Sequence, residues 1–210
     1  MVTQRLLIVG AGGHAKVVIE AARAAGFAPV AVVDPQARGD VLGVPVRGTD
    51  EDVAILWASG EFDAAAVAIG DNQLRLRLAG TLRRIGCSTP AIVHPRATVS
   101  PTAEIYDGVV VMAHAVVNAC ARIGRDSIVN TAAIVEHDCA LGEAVHAAPR
   151  SVMGGSCSFG SLTLFGIGAV ARPGVKVGSR VVIGAGATVV SDIPDGWVVA
   201  GTPARRLCPE

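Results

Sequence analysis

The sequence is poor in aromatic residues, carries no net charge and contains no long apolar run. Phe, Trp and Tyr make up only 3% of its 210 residues, whereas 51% are hydrophobic and 25 are glycine. Val, Ile, Ala and Gly must therefore do most of the packing, which favours repetitive stacked strands over a core built around aromatic rings. The length alone fits either one large domain or two small ones.

The absence of a net charge and the absence of long apolar runs exclude two classes of partner. The 18 basic and 18 acidic residues cancel, and without a basic run we expect no nucleic acid to bind. No apolar stretch approaches the roughly 20 residues that span a bilayer. The opening MVTQRLLIVGAGG is too short and too lightly charged for a signal peptide. We therefore expect a soluble, cytoplasmic protein with no membrane partner.

The cysteines show no disulfide framework. They number five and none belongs to a CxxC pair; they are Cys87, Cys120, Cys139, Cys157 and Cys208. An odd number without paired spacing is typical of free thiols in a reducing compartment.

Residues 5–93 alternate between apolar strands and amphipathic helices. The predicted strands lie in RLLIVG, PVAVVD, DAAAVAIG and TPAIV, and the predicted helices cover residues 14–25, 50–59 and 72–85. Apolar strands separated by helices indicate a parallel sheet covered on its faces. We predict a small Rossmann-like domain over residues 1–92.

From Val93 the sequence follows a six-residue repeat. A large apolar residue recurs every six positions up to Val189, interrupted only by Ala147 and Ala171, and a small or β-branched residue follows each four places later. Three such faces close a triangular parallel β-helix, although the repeat does not fix its hand. Residues 93–194 would make five to six coils of this helix, within a second domain over residues 93–210. Glycine often follows the large residue, as at Gly124 and Gly166, where we expect a sharp corner to need a permissive backbone.

The run GAGGHA, residues 10–15, allows three interpretations. It fits the dinucleotide fingerprint between a strand and a helix, with Asp34 ending the second strand. Its glycines would let the backbone approach a pyrophosphate at a helix N-terminus. The ligand could be NAD or a nucleotide-sugar, or the run could be only a tight turn. The span before the repeat is too short for the second mononucleotide half that NAD requires, so we favour the nucleotide-sugar.

His137 is the strongest catalytic candidate. It lies two places after the inward Val135, so its ring should point outward, between the acidic neighbours Glu136 and Asp138. A histidine with a carboxylate to fix its tautomer suits proton removal from an attacking amine. The alternative is a solvated surface histidine. A metal held by His137 and Cys139 is disfavoured because the cysteine should face the core.

Three segments resemble those of a known family. NTAAIVEHDCALGEAVHAAP, GAGGHAKVV and DIPDGWVVAGTPARRL are similar to the hexapeptide-repeat acyltransferases, in the branch of the bacterial nucleotide-sugar N-acetyltransferases and the sialic acid O-acetyltransferases. The former act on precursors of the bacillosamine and perosamine type. The resemblance implies a left-handed β-helix, acetyl-CoA as co-substrate, no metal, a homotrimer and a role in bacterial surface-glycan biosynthesis.

The resemblance also implies residue roles. His137 would be the general base, oriented by Asp138 or Glu136, and Asn118 would be a stacked structural filler. The acetyl-CoA residues would be His146, Gly155, Ile167, Gly168 and Ala185. The nucleotide-sugar residues would be Gly10, Gly12, Gly13, His14, Lys16, Asp34, Gly70, Asn72 and Asn130.

This sequence departs from the pattern at Arg150 and in SCSFGSLTLFGIG, where Phe159 and Phe165 add bulk. The acetyl-CoA contacts near these repeats are the least defined. Two rival functions stay open from the sequence. The acceptor could be a hydroxyl, as in sialic acid O-acetylation, or the protein could be a non-catalytic sensor of a nucleotide-sugar or CoA.

Overall fold

The computed structural model describes residues 3–207, so Cys208 and its predicted free thiol lie outside the described residues. The chain divides into two compact units, one ending at Pro95 and the other beginning at Arg96. Across the described residues, no helix combines the length and the apolar character that crossing a membrane requires.

The N-terminal unit is a mostly parallel sheet with helices. Its elements are β1 Arg5–Val9, α1 Gly13–Ala24, β2 Ala28–Val33, β3 Asp40–Val41, β4 Val44–Gly48, a 3₁₀ turn Asp50–Asp52, α2 Val53–Ala58, β5 Ala64–Val67, α3 Asn72–Arg84 and β6 Ile92–Val93. The sheet order is β3-β4-β2-β1-β5, and only β3 runs antiparallel to its neighbour. The carboxyl ends of β1, β2 and β5 therefore meet at one edge, which is where parallel sheets hold ligands.

Continuous apolar strands bury both faces of this sheet. Leu6, Leu7 and Ile8 of β1 are fully buried, and one core cluster joins Leu7 to Phe62 and to Leu82 of α3. The predicted strands and helices are close to the observed ones, with two differences. The short β3–β4 hairpin was not predicted, because β3 has only two residues. The strand in TPAIV, β6, lies outside the five-stranded sheet to which we assigned it.

The C-terminal unit consists of strands two residues long, apart from β23. They are β7 Thr98–Val99, β8 Glu104–Ile105, β9 Val110–Val111, β10 Val116–Val117, β11 Arg122–Ile123, β12 Ile128–Val129, β13 Ile134–Val135, β14 Ala140–Leu141, β15 His146–Ala147, β16 Val152–Met153, β17 Ser158–Phe159, β18 Leu164–Phe165, β19 Val170–Ala171, β20 Lys176–Val177, β21 Val182–Ile183, β22 Thr188–Val189, β23 Val198–Ala200 and β24 Arg205–Arg206. From β7 to β22 every third strand is paired, in parallel, with register partners 18 positions apart, as Val116 and Ile134 are. The pair β21–β23 has partners 16 positions apart.

These pairings define three faces of a parallel β-helix. Face 1 holds β7, β10, β13, β16, β19 and β22; face 2 holds β8, β11, β14, β17 and β20; face 3 holds β9, β12, β15, β18, β21 and β23. Corner 1–2 is the turn from face 1 to face 2, and corner 3–1 is the turn from face 3 to face 1. The strand β24 pairs antiparallel with β23 at the end of the helix.

The bulky repeats fit inside the helix because their neighbours are small. The rings of Phe159 and Phe165 are both buried and lie 5.0 Å apart, tilted by 58°. Ala147 lies one coil earlier and is the register partner of Phe165. Ala171 lies in the same coil as Phe159 and Phe165 and is the third inward residue of that coil. The two interruptions of the large-residue pattern therefore make room for the two phenyl rings.

The glycines that follow the large residues have a different role from the one expected. Positive φ occurs two positions after them, mostly at other residue types such as Asp126 and Ala144. Gly124 is required because a Cβ there would stand 2.5 Å from the carbonyl oxygen of Gly142 in the next coil. The expectation of a flexible corner was wrong, and close stacking of coils is the reason for these glycines.

Candidate active site

Corner 1–2 carries an exposed histidine paired with a carboxylate. The Nδ1 atom of His137 lies 2.8 Å from Oδ2 of Asp138, and about 60% of each side chain is exposed. Asp138 has φ of 59°, a left-handed conformation that Asp tolerates better than most residues. This hydrogen bond raises the pKa of His137 against the opposing effect of burial, and the charges of Asp138 and Glu136 also raise it.

Glu136 makes a different contact from the one the sequence suggested. Its Oε2 accepts a hydrogen bond of 2.8 Å from Nδ2 of Asn118, one coil earlier. Asp138 is therefore the carboxylate bonded to His137, while Glu136 is held by Asn118. Asn118 stacks on a glutamate rather than on another asparagine.

The next coil leaves room for the imidazole. Gly155 follows Gly154 directly below the Glu136–His137 pair, and a Cβ on Gly155 would stand 2.6 Å from Cε1 of His137 and closer still to Nε2. Cys139 is buried, with its thiol 3.2 Å from the Gly154 carbonyl oxygen, so it faces the interior.

A second cluster lies on face 3 and corner 3–1. Nδ2 of Asn130 donates to Nε2 of His146 at 3.0 Å, and Oδ1 of Asn130 accepts from the Thr131 backbone. Because the amide donates to Nε2, the proton of a neutral His146 ring is on Nδ1. Asn130 therefore orients His146, and the structure places it away from His137.

The remaining predicted acetyl-CoA residues also line corner 3–1. Ile167 and Gly168 follow β18, and Ala185 follows β21; all three are exposed. Ile167 is 59% exposed and its carbonyl accepts from the Gly186 N–H, so it stacks one coil before Ala185. His137 and Gly155 lie on corner 1–2, at the opposite edge of face 1. A single chain thus separates the predicted acetyl-CoA residues into two groups.

The N-terminal unit presents a helix N-terminus after β1. Gly12 is the N-cap of α1, which has no side-chain cap and no acidic residue in its first turn. Gly12 and Gly13 face open space, whereas Gly10 has φ of 106° and lies against Ile69. The exposed N–H groups and the positive end of the helix dipole favour an anion at this position.

A pocket of about 280 Å³ lies at the carboxyl ends of β1 and β2. Its lining residues are Val9, Gly10, Val33, Asp34, Pro35, Gln36, Asp50, Ile69, Leu74, Arg77 and Leu78. Asp34 accepts hydrogen bonds from the backbone of Ala11, Gln36 and Ala37 at 2.8–3.0 Å. Partial burial would raise the pKa of Asp34, but these three donors outweigh it and the pKa is lowered. The carboxylate thus holds the glycine loop to the end of β2.

His14 and the turn at Gly70 lie near one buried arginine. The guanidinium of Arg75, with 1% exposure, donates to the carbonyls of Ile69 and Gly70 at 3.0 Å and to Oδ1 of Asn72 at 2.7 Å. Burial lowers the pKa of His14 to about 4, and the charge of Arg75 acts in the same direction. His14 is therefore neutral at pH 7.

Comparison with known proteins adds independent information. Residues 5–82 match the family model described as the PglD N-terminal domain. The perosamine N-acetyltransferase of Caulobacter crescentus, solved with CoA and GDP-perosamine, is 43% identical, with 97% of each chain covered and a TM-score of 0.95. The acetyltransferase domain of PglB from Neisseria gonorrhoeae, solved with acetyl coenzyme A, is 42% identical over 98% of this chain and 100% of that one, with a TM-score of 0.92. The GDP-perosamine N-acetyltransferase of Escherichia coli O157:H7 is 28% identical over 187 residues, covering 86% of this chain and 83% of the relative.

The chain belongs to the hexapeptide-repeat nucleotide-sugar N-acetyltransferases. The predicted fold, a Rossmann-like domain followed by a left-handed parallel β-helix, is confirmed. The predicted enzyme class, an acyltransferase that uses acetyl-CoA, is also confirmed.

Sequence reasoning about this N-acetyltransferase missed three residues of α3 that line the N-terminal pocket, Leu74, Arg77 and Leu78. Leu74 and Leu78 form an apolar wall of the N-terminal pocket, and Arg77 lies beside them. The signal was present, because α3 repeats apolar residues at helical spacing and Arg75 occupies a buried position of that pattern. Lys16, by contrast, is an exposed residue of α1 that does not line this pocket.

Proposed function

We propose that this chain transfers the acetyl group of acetyl-CoA to the amino group of a nucleotide-linked sugar, with His137 as general base. The observation that carries the proposal is the 2.8 Å hydrogen bond between Nδ1 of His137 and Asp138. With its Nδ1 proton donated to the carboxylate, the ring has its Nε2 lone pair available to accept a proton.

The reaction is a direct transfer in a ternary complex. The amine nitrogen attacks the thioester carbonyl carbon, Nε2 of His137 takes the proton that the nitrogen loses, and the C–S bond breaks. The same imidazole returns the proton to the departing thiolate. A backbone N–H stabilises the developing oxyanion.

An acetyl intermediate on Cys139 is disfavoured by burial. Cys139 is 1% exposed, and its hydrogen bond with Cys157 together with burial raises the pKa of its thiol. A protonated, enclosed thiol is a poor nucleophile. Both cysteines pack the interior of the β-helix.

We assign the nucleotide-sugar to the N-terminal unit. Gly12 and Gly13 leave space at the N-terminus of α1 for the pyrophosphate, and the pocket beside Asp34 has apolar walls suited to a base or sugar. The solved perosamine N-acetyltransferase with GDP-perosamine supports a substrate of this class. Acetylated amino sugars of this kind supply bacterial surface glycans, and we propose that role here.

We further propose a homotrimer in which one site is shared by two subunits. The outward residues of face 1 and face 3 are mostly apolar, whereas those of face 2 include Glu104, Arg122 and Lys176. Val170 of face 1 and Val182 of face 3 are 38% and 39% exposed, so a neighbouring copy would bury apolar surface. A cyclic arrangement that brings corner 1–2 of one subunit close to corner 3–1 of the next would unite the two separated groups.

The test is release of free thiol from acetyl-CoA with UDP-, GDP- and dTDP-linked 4-amino sugars. We expect turnover with at least one amine and none with the matching hydroxyl sugar. We expect His137→Ala to lower kcat by roughly a hundredfold or more with little change in acetyl-CoA binding. An unimpaired His137→Ala variant would contradict the mechanism, and acetylation of the hydroxyl sugar alone would favour the O-acetyltransferase alternative.

A further inference from the structure

The environment of Glu136 points to a positioning role for Asn118. The two residues occupy equivalent places in consecutive coils, each directly after a strand of face 1, because β10 pairs in register with β13. The residue in the same place of the following coil is Gly154, since β13 pairs with β16. Glu136 therefore has a polar side chain on one side and no side chain on the other.

The side chains of Glu136 and His137 lean in opposite directions along the helix. The Glu136 carboxylate bonds to Asn118 in the coil before, whereas the His137 ring lies against Gly155 in the coil after. The Nε2 atom of His137 thus lies beside Gly155, a residue without a side chain. Any group that delivers a proton to Nε2 must reach this atom beside Gly155.

Without Asn118, the Glu136 carboxylate would lose the hydrogen bond that holds it toward the preceding coil. The side chain of Glu136 is half-buried and can rotate beyond Cβ. A carboxylate turned toward the His137 ring would accept a hydrogen bond from a protonated imidazole and would bind the ammonium form of the acceptor. Either contact would compete with transfer.

We propose that Asn118 is a positioning residue of the acetyl-transfer site, which anchors Glu136 toward the preceding coil and keeps Nε2 of His137 accessible. This inference rests on the proposed role of His137 as general base. Asn118 itself contacts Glu136 and acts through it. Sequence reasoning had interpreted Asn118 as a filler of the repeat.

The test is a reciprocal exchange of the pair. Asn118→Asp has the same shape but removes the donor and repels Glu136, so we expect kcat to fall roughly tenfold with the KM for acetyl-CoA unchanged. In Asn118→Asp/Glu136→Gln the amide of residue 136 can donate to the carboxylate of residue 118. We expect that double variant to recover to within about threefold of the wild type.

Asn118→Ala and Ser100→Ala complete the set. Ser100 occupies the same place one coil before Asn118 and does not contact Glu136, so its variant should keep wild-type kinetics and is the matched control. The melting temperatures of all variants show whether a loss of activity comes from unfolding or from displacement of the Glu136 carboxylate. Wild-type kcat in both Asn118 variants, or no recovery in the double variant, would overturn the inference. His137→Ala distinguishes the two failures: if it is inactive while the Asn118 variants are normal, only the positioning role is wrong.

Discussion

The imidazole of His137 lies against Gly155, which stands one coil further along the β-helix. A Cβ built on Gly155 would be 2.6 Å from Cε1 of His137 and closer to Nε2. Glycines such as Gly124 and Gly166 meet the backbone of the next coil, but Gly155 meets a side chain that is itself about 60% exposed. The fold can therefore accept a larger residue here, and the catalytic geometry cannot.

Gly155→Ala should consequently lower kcat while leaving stability almost unchanged. The methyl group displaces the imidazole from its position against residue 155, and we expect a loss of roughly tenfold to a hundredfold, on the scale of impaired general-base catalysis. Turnover and melting temperature measured together test this. Gly80→Ala in α3, where a Cβ meets nothing within 4 Å, is the matched control and should remain fully active. A Gly155→Ala enzyme with normal kcat would show that the His137 position is not critical.

The hydrogen bond between His137 and Asp138 predicts the pH dependence. The base must be neutral to accept a proton, and its pKa is raised mainly by the bond to Asp138. Activity should therefore fall on the acid side at a pH above the ordinary value for histidine. Asp138→Asn should move this limb of kcat/KM to lower pH, because the raised pKa returns toward normal, and should also lower kcat by at least about tenfold because the tautomer is less well fixed.

The decisive quantity is the shift of the acid limb between the pH profiles of the wild type and of Asp138→Asn. The acceptor amine titrates identically with both enzymes, so only a change in the enzyme moves the limb. Asn tolerates the left-handed φ of position 138, which keeps the backbone in place. Superimposable profiles would exclude Asp138 as the partner that sets the basicity of His137.

Two glycines of the N-terminal loop should behave differently although they are two positions apart. Gly12 faces open space, so Gly12→Val should fold normally, crowd the phosphate position and raise the KM for the nucleotide-sugar by roughly tenfold. Gly10 has φ of 106° and its added Cβ would stand 2.5 Å from Cδ1 of Ile69, so Gly10→Ala should cost about 1–3 kcal/mol of stability. Substrate titrations and thermal unfolding distinguish the two effects. Loss of acetyl-CoA affinity in Gly12→Val, with the nucleotide-sugar unaffected, would refute our assignment of the N-terminal unit.

The fold of the C-terminal unit could be predicted from the repeat because the six-residue period does not depend on the contacts of individual side chains. Large residues every six positions and small ones between them admit a three-sided coil, and even the interruptions at Ala147 and Ala171 are explained by the phenyl rings they accommodate. The partner of Glu136 could not be predicted in the same way. Its contact with Asn118 depends on which side of the coil a flexible side chain turns to, and spacing alone does not record that direction.

The N-terminal site was likewise only partly predictable from the sequence. The position of the glycine loop before α1 follows from the strand-loop-helix pattern, so it was predictable. The hydrogen bonds of Asp34 to three backbone N–H groups depend on how the loop after β2 turns back. The burial of Arg75 likewise depends on packing of α3 against the sheet, where propensity would have placed a charged residue in solvent.

The separation of His137 from His146 gives the last prediction, which concerns the proposed trimer. If each site combines His137 of one subunit with His146 of its neighbour, a His137→Ala chain and a His146→Ala chain carry complementary defects. Each variant alone should be deficient at limiting acetyl-CoA. Co-expressed and purified through two different tags, mixed trimers should regain activity, because every trimer that contains both kinds of chain has one of its three interfaces with both histidines intact. Variants mixed after purification without exchange of subunits are the control and should show only the sum of their separate activities. Mixed trimers no more active than that sum would mean that each chain builds its own complete site, and light scattering that reports a fully active monomer would rule out the shared site altogether.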